Sequence, residues 1–170
     1  LVAAPGTADG DEFNGGIHAH GDQLLQCAQC HTHPHESDDL EETPNYTGHT
    51  FEPTAHACLD CHTFWTEEIA ELVIENSKVV TDERMAEVKA ALDDWGMNRS
   101  PEPLRTQYGA LAWEYSNEGG LSNPDGNPDL KGPSSAEQSA IPDSIKKARF
   151  ALYLVYHDAS NGLHNSPFAA

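Results

Sequence analysis

The sequence predicts a mainly α fold with long irregular loops. Apolar residues recur at helical spacing in several segments, whereas no segment shows a convincing alternation of apolar and polar side chains that would indicate a half-buried strand. Turn-forming residues are abundant, with 13 Gly and 11 Pro among 170 residues. A chain of this length is expected to form one domain with a modest core.

We expect that single domain to span residues 1–170 and to fall into five consecutive segments. In chain order they are an extended Gly-rich arm (1–26), a segment with all the cysteines (27–63), a helical segment (64–118), a loop (119–141), and a long C-terminal helix with a turn (142–170).

Two amphipathic helices and a weaker third are predicted in the helical segment. The first spans Thr66–Asn76. The second spans Asp82–Trp95, with Thr81 as its N-cap and Gly96 as its stop signal. The third spans Leu104–Tyr115.

Different local signals predict the loop and the final helix. Residues 119–135 contain Asn-Pro, Asp-Gly and Gly-Pro pairs, which favour irregular surface structure. A linker between two domains is the alternative, but too little chain follows it for a second core. Pro142 suits the first turn of a helix. The apolar stripe of that helix consists of Ile145, Ala148, Leu152 and Val155.

The net charge of -19, from 28 acidic and 9 basic residues, argues against binding to nucleic acid or to an anionic membrane. No run of 18 apolar residues is present, so we expect no membrane span. The chain begins with LVAAPGTADG and not with Met, as after removal of a signal peptide. We therefore expect an exported protein that is extracellular, periplasmic or at the cell surface.

All four cysteines fall in two identical Cys-x-x-Cys-His frames, the attachment signature of c-type haem. Both thiols of a frame form thioethers with the haem vinyl groups, and the following His binds the iron. We therefore predict two c-type haems. The predicted thioether residues are Cys27, Cys30, Cys58 and Cys61, and the predicted proximal iron ligands are His31 and His62.

Zinc and disulfides are the alternative uses of these thiols. A zinc site can draw on four cysteines in Cys-x-x-Cys spacing, and two disulfides can form in an oxidising compartment. Neither needs a His directly after each cysteine pair, so both leave His31 and His62 unexplained. The sequence thus favours haem.

The sixth ligand of each iron decides what the haems do, since Met raises the potential, His lowers it and an open position admits small molecules. The chain has two Met, and Met85 lies at core spacing within a predicted helix. Histidines are plentiful, with 10 in the chain. The abundance of His relative to Met therefore favours two histidine ligands for each iron.

An internal repeat sharpens the choice of distal ligand, because His18 and His49 each stand nine positions before the first Cys of a motif. The stretch Gly48-His49-Thr50-Phe51 resembles the multihaem cytochromes c, in which the His of such a stretch binds the iron of a neighbouring haem. The resemblance implies a distal role for His49.

A second resemblance lies at the C-terminal end. Multihaem cytochromes related to the nitrite reductase and hydroxylamine oxidoreductase group end in a long helix followed by Asp-x-Ser-x-Gly-x-His-Asn and a nearby Pro. The matching residues here are Asp158, Ser160, Gly162, His164, Asn165 and Pro167. The resemblance, over residues 16–63 and 142–168, implies a distal role for His164. We expect His49 to serve the first haem and His164 the second, and the reverse assignment stays open.

His18 is the third candidate distal ligand. By the repeat, it would serve a haem before the first, and this chain carries none. Extracellular cytochrome filaments resemble this arrangement, with a His of one subunit bound to the iron of the next, so His18 is an alternative ligand to a neighbouring subunit. The other histidines are expected to be surface residues or hydrogen-bond donors to haem propionates: His20, His33, His35, His56 and His157.

Three functions compete. Two bis-His haems predict electron transfer with other cytochromes or redox proteins as partners, either as a soluble carrier or as a unit of a homopolymer. A haem enzyme related to nitrite reductases would need an open distal face and nearby proton donors, and none of the 9 basic residues stands beside a motif. A haem sensor would need an output segment, and none is evident. The sequence therefore favours an electron carrier without catalytic residues.

Overall fold

The computed structural model describes residues 30–35, 46–47, 54–114 and 120–158, together with residues 160 and 163. It is mainly helical, which confirms the predicted class. Four α-helices follow in chain order: α1 His56–Leu59, α2 Glu67–Asn98, α3 Leu104–Tyr108 and α4 Asp143–Asp158. Two 3₁₀ helices complete the helical elements: η1 Gly109–Trp113 and η2 Glu137–Ala140.

A short antiparallel ladder joins strands β1 (Pro34–His35) and β2 (Tyr46–Thr47). Pro34 lies opposite Thr47, so the chain reverses its direction between the two cysteine motifs. The sequence did not predict these strands, because two residues are too few to show an alternating pattern.

The first two predicted helices are one continuous helix of 32 residues, α2. Thr66 is the N-cap of α2 and not its first residue as expected, since its Oγ1 accepts a hydrogen bond from the Ile69 amide at 3.4 Å. The prediction that Thr81 caps a second helix is wrong, because Thr81 is buried inside α2. Residues 77–81 contain neither Gly nor Pro, and β-branched residues cost a helix only a few tenths of a kcal/mol each.

Gly96 does not end α2, which continues to Asn98. Its role is close packing: a Cβ at position 96 would lie 2.6 Å from the carbonyl oxygen of Gly109. The predicted third helix is also shorter than expected. It ends at Tyr108, because Gly109 adopts a φ of 53° and the chain continues as η1.

The core lies where the last turns of α2 meet α3, η1 and α4. Its buried members are Leu92, Trp95, Leu104, Ala112, Trp113, Ile141 and Leu152. Met85 packs against this cluster, which confirms its prediction as a core residue. The indole of Trp113 also donates a hydrogen bond to the Asp93 carboxylate at 2.9 Å, which fixes η1 on α2.

A buried polar cluster attaches α4 to the chain that follows η1. Arg149 forms an ion pair with Glu114 at 3.2 Å, and the Tyr153 hydroxyl donates to the same carboxylate at 2.9 Å. The Leu121 amide donates to the Tyr153 hydroxyl at 3.0 Å. Burial, the largest cause, and the neighbouring Glu114 raise the pKa of Tyr153 to about 12.

The predicted stripe of α4 packs as expected for Ile145, Ala148 and Leu152, which contact the core. The loop prediction also holds over the described residues from 120 to 136, which form turns without a helix or strand. Asn123 organises that loop, since its side chain accepts from the Asn127 amide and donates to the Asn127 carbonyl. Across the described part of the chain, no helix has the length and apolarity needed to span a bilayer.

Candidate functional site

The second cysteine motif folds as one helical turn at the end of α1. The Cys58 carbonyl accepts hydrogen bonds from two amides, that of Cys61 at 3.3 Å and that of His62 at 2.9 Å. Residues three and four apart on a helical turn share a face. The turn therefore places both thiols and the His imidazole of the motif on one face, which we call the front face.

The front face is open to a large ligand. Cys61 is exposed, whereas Cys58 and His62 are half-buried. Phe64, two residues after His62, is 97% exposed. The Phe64 ring is therefore left uncovered beside the motif.

Trp65 orients the histidine of this motif. Its indole stacks on the His62 ring with centroids 3.9 Å apart and an interplanar angle of 14°. The Trp65 amide also donates to the His62 carbonyl at 2.9 Å. Sequence reasoning missed Trp65, although an aromatic residue three positions after the motif was the available signal.

The first motif lies beside the second. Its described residues are Cys30, which is exposed, and His31, which is half-buried and helical. Burial raises the pKa of the Cys58 thiol, and electrostatic interactions with Cys30 and Cys61 raise it further. No disulfide joins Cys30, Cys58 and Cys61 to one another.

A histidine just after the first motif contacts the second. The Nε2–H of His33 donates to the Asp60 carboxylate at 3.2 Å, and the His33 ring lies 5.6 Å from the His56 ring. The His33 side chain is 15% exposed and so partly buried, and its expected role as a surface residue or a propionate donor stays a prediction. His56 and His157 are exposed, as expected of surface histidines.

The remaining predicted site residues lie outside the described part of the chain. They are Cys27 of the first motif, the three candidate distal ligands His18, His49 and His164, and also His20. The distal assignments therefore stay predictions.

The described residues fit a covalently attached haem. The second motif presents two thiols and an imidazole from one turn, as thioether formation and iron binding require. Buried apolar side chains are few here, namely Ala55 and Ala57 around the motif and Ala70 in the first turns of α2. Among the described residues, no group of three or more His, Cys, Asp and Glu side chains is arranged to hold a metal ion alone.

No protein-family model matches the chain, and neither the curated proteins nor the solved structures contain a significant match.

Proposed function

We propose that the protein transfers electrons through two covalently bound c-type haems, each with two histidine ligands. The observation that supports this most directly is the second motif, whose turn places Cys58, Cys61 and His62 on one face. The segment that follows the identical first motif contacts this turn, since His33 donates to Asp60. Two motifs joined in this way suit two haems that exchange electrons with each other.

The residues take the following roles in this proposal. A haem, when bound, supplies one-electron exchange at its iron. Cys58 and Cys61 hold the second haem as thioethers, and His62 is its proximal ligand with its ring oriented by Trp65. Cys27, Cys30 and His31 do the same for the first haem.

The distal ligands of the proposal are His49 for the first haem and His164 for the second, with the reverse assignment open. His18 is the alternative, as a ligand to the iron of a neighbouring subunit. Bis-His coordination leaves no open iron position for a substrate, so the proposal includes no catalytic residue. We propose an exported protein that exchanges electrons with other redox proteins, as a filament subunit or as a soluble periplasmic dihaem carrier.

Covalent attachment is the direct test. After expression with a cytochrome c maturation system, the intact mass should exceed that of the polypeptide by two haems, and the colour should survive denaturation. The paired variant Cys58→Ser/Cys61→Ser should retain one haem, as should Cys27→Ser/Cys30→Ser. A colourless protein that binds zinc through these thiols would end the proposal.

Coordination is tested by spectroscopy of the loaded protein. Both irons should be six-coordinate and low-spin, and His49→Ala and His164→Ala should each produce a high-spin component. His157→Ala is the matched control, because His157 is an exposed histidine of α4. If only His18→Ala changes the spectrum, the distal iron ligand comes from the Gly-rich arm, residues 1–26. Filaments seen by electron microscopy would separate the polymer from the soluble carrier.

A further inference from the structure

The helical turn of the second motif has two opposite faces, and the haem needs only one of them. The front face carries Cys58, Cys61 and His62. Successive residues of a helix are rotated by about 100°. His56 and Asp60, four residues apart, therefore lie together on the opposite side, which we call the back face.

His33 occupies the back face. Its Nε2–H donates to the Asp60 carboxylate at 3.2 Å, and its ring is tilted by 59° against the His56 ring at 5.6 Å. His33 stands two positions after His31 of the first motif. A single side chain of the first motif's segment thus contacts the back of the second motif.

Asp60 sets the orientation of this imidazole. The Nδ1 atom of His33 is buried and has no hydrogen-bond partner among the described residues. The ring therefore depends for its polar contact on Nε2 and on the Asp60 carboxylate. Asp60 itself stands between the two cysteines of the second motif, so any movement of His33 relative to Asp60 changes the relation between the motifs.

We propose that the His33–Asp60 contact is a brace between the segment that follows the first motif and the turn of the second motif, which fixes the separation and relative orientation of the two haems. His33 and Asp60 are positioning residues, and neither is an iron ligand. This inference rests on the proposed function, because the brace has no role unless two haems are bound. The brace sets how strongly reduction of one haem affects the other.

The test compares variants of the haem-loaded protein. Asp60→Leu keeps the branched shape of the side chain and removes the acceptor, Asp60→Asn keeps an acceptor oxygen, and His33→Leu removes the donor. The readouts are the two reduction steps in a spectroelectrochemical titration and the magnetic interaction of the two ferric haems in electron paramagnetic resonance.

We expect Asp60→Leu and His33→Leu to change the equilibrium constant that separates the two reduction steps by about fivefold, the factor that one hydrogen bond supports. The double variant should show no further change, since both single variants remove the same contact. Asp60→Asn should restore wild-type behaviour. Glu87→Ala, which breaks the exposed Arg84–Glu87 pair of α2, is the control and should leave both readouts unchanged.

Each outcome of these measurements either supports or overturns the brace. Unchanged potentials and unchanged magnetic interaction in both Leu variants would overturn the brace. Additive effects of the two single variants would also overturn it, because the residues would then act separately. If Asp60→Leu matures with only one haem while Asp60→Asn matures with two, the contact is needed to present the second motif, as a brace requires. A wild-type protein without covalent haem would instead contradict the proposed function itself.

Discussion

Two regions of the molecule are stabilised in different ways. The packed region, residues 85–114 and 120–153, contains all seven members of the buried apolar cluster. The motif region, residues 30–35 and 54–66, contributes Ala55 and Ala57 as its buried apolar residues. Among the described residues, the packed region thus has a side-chain core of its own, whereas the motif region contributes few buried apolar side chains.

Buried polar atoms show the same difference. In the packed region, Arg149, Tyr153 and Trp113 direct their polar groups to carboxylates. Among the described residues, three buried side-chain atoms lack a hydrogen-bond partner: His33 Nδ1, Thr54 Oγ1 and Ser122 Oγ. Two of the three belong to the motif region. Unpaired buried polar atoms are costly, so these atoms lower the stability of the described part of the motif region.

Trp113→Ala should produce the largest loss of stability. The Trp113 side chain is fully buried and donates a hydrogen bond to the Asp93 carboxylate. Its removal should therefore lower the free energy of unfolding by about 3–5 kcal/mol. Urea denaturation followed by far-ultraviolet circular dichroism measures this. Phe64→Ala, in the motif region, is the matched aromatic control and should change that free energy by less than about 0.5 kcal/mol. Equal effects of the two variants would mean that the regions do not differ.

Gly96→Ala should have the next largest effect. The new methyl group would approach the Gly109 and Ala110 carbonyl oxygens to 2.6 and 3.0 Å, and both belong to backbone that cannot move without η1. Overpacking of this kind lowers the free energy of unfolding by about 1–3 kcal/mol. Met97→Ala, at a half-exposed neighbouring position, should be nearly neutral in the same titration. A stable Gly96→Ala variant would show that η1 and α2 are not in close contact.

Thr66→Ala tests the junction between the two regions. Thr66 caps α2 just after the second motif, and loss of the cap should destabilise the helix start by about 1 kcal/mol. Thr66→Ser keeps the hydroxyl and should retain the stability. Hydrogen exchange should report the change in the first turns of α2, with no change around Leu92. Equal loss of protection at both ends of α2 would contradict the separation of the regions.

The smallest effect should be confined to alkaline pH. Tyr153 titrates at about 12 in the folded state and near 10 when unfolded. Its contribution to stability is therefore complete below pH 10 and is lost as the pH rises toward 12. The pKa of Tyr108 is also raised, chiefly by its hydrogen bond with Glu137, and acts in the same direction. Urea midpoints between pH 9 and 12 should fall less in Tyr153→Phe than in the wild type, and parallel curves would contradict this.

The parts that sequence predicted are those governed by local rules. The α4 stripe around Leu152 and the Met85 core position both depend on residues within one or two turns. The cysteine motif is likewise local, since one carbonyl, that of Cys58, organises it.

The parts that sequence missed depend on contacts between distant residues. From the sequence alone, Gly96 indicates the end of a helix. In the structure, Gly96 instead allows the backbone of Gly109 to approach α2 closely. The contact of His33 with Asp60 joins residues 27 positions apart, and neither residue type predicts the identity of its partner. No local pattern can specify such pairs, because the fold itself brings them together.

The length of α2 has a mechanical consequence. At about 1.5 Å per residue its 32 residues span about 48 Å, with the second motif at one end and the core at the other. A rotation of about 5° at the core end of a helix of this length would displace the far end by about 4 Å. The close approach of Gly96 to Gly109 leaves little room for such a rotation. A contact of backbone atoms in the core thereby limits the positional error at Cys58 and Cys61 and, under the proposed function, the error in the distance between the two haems.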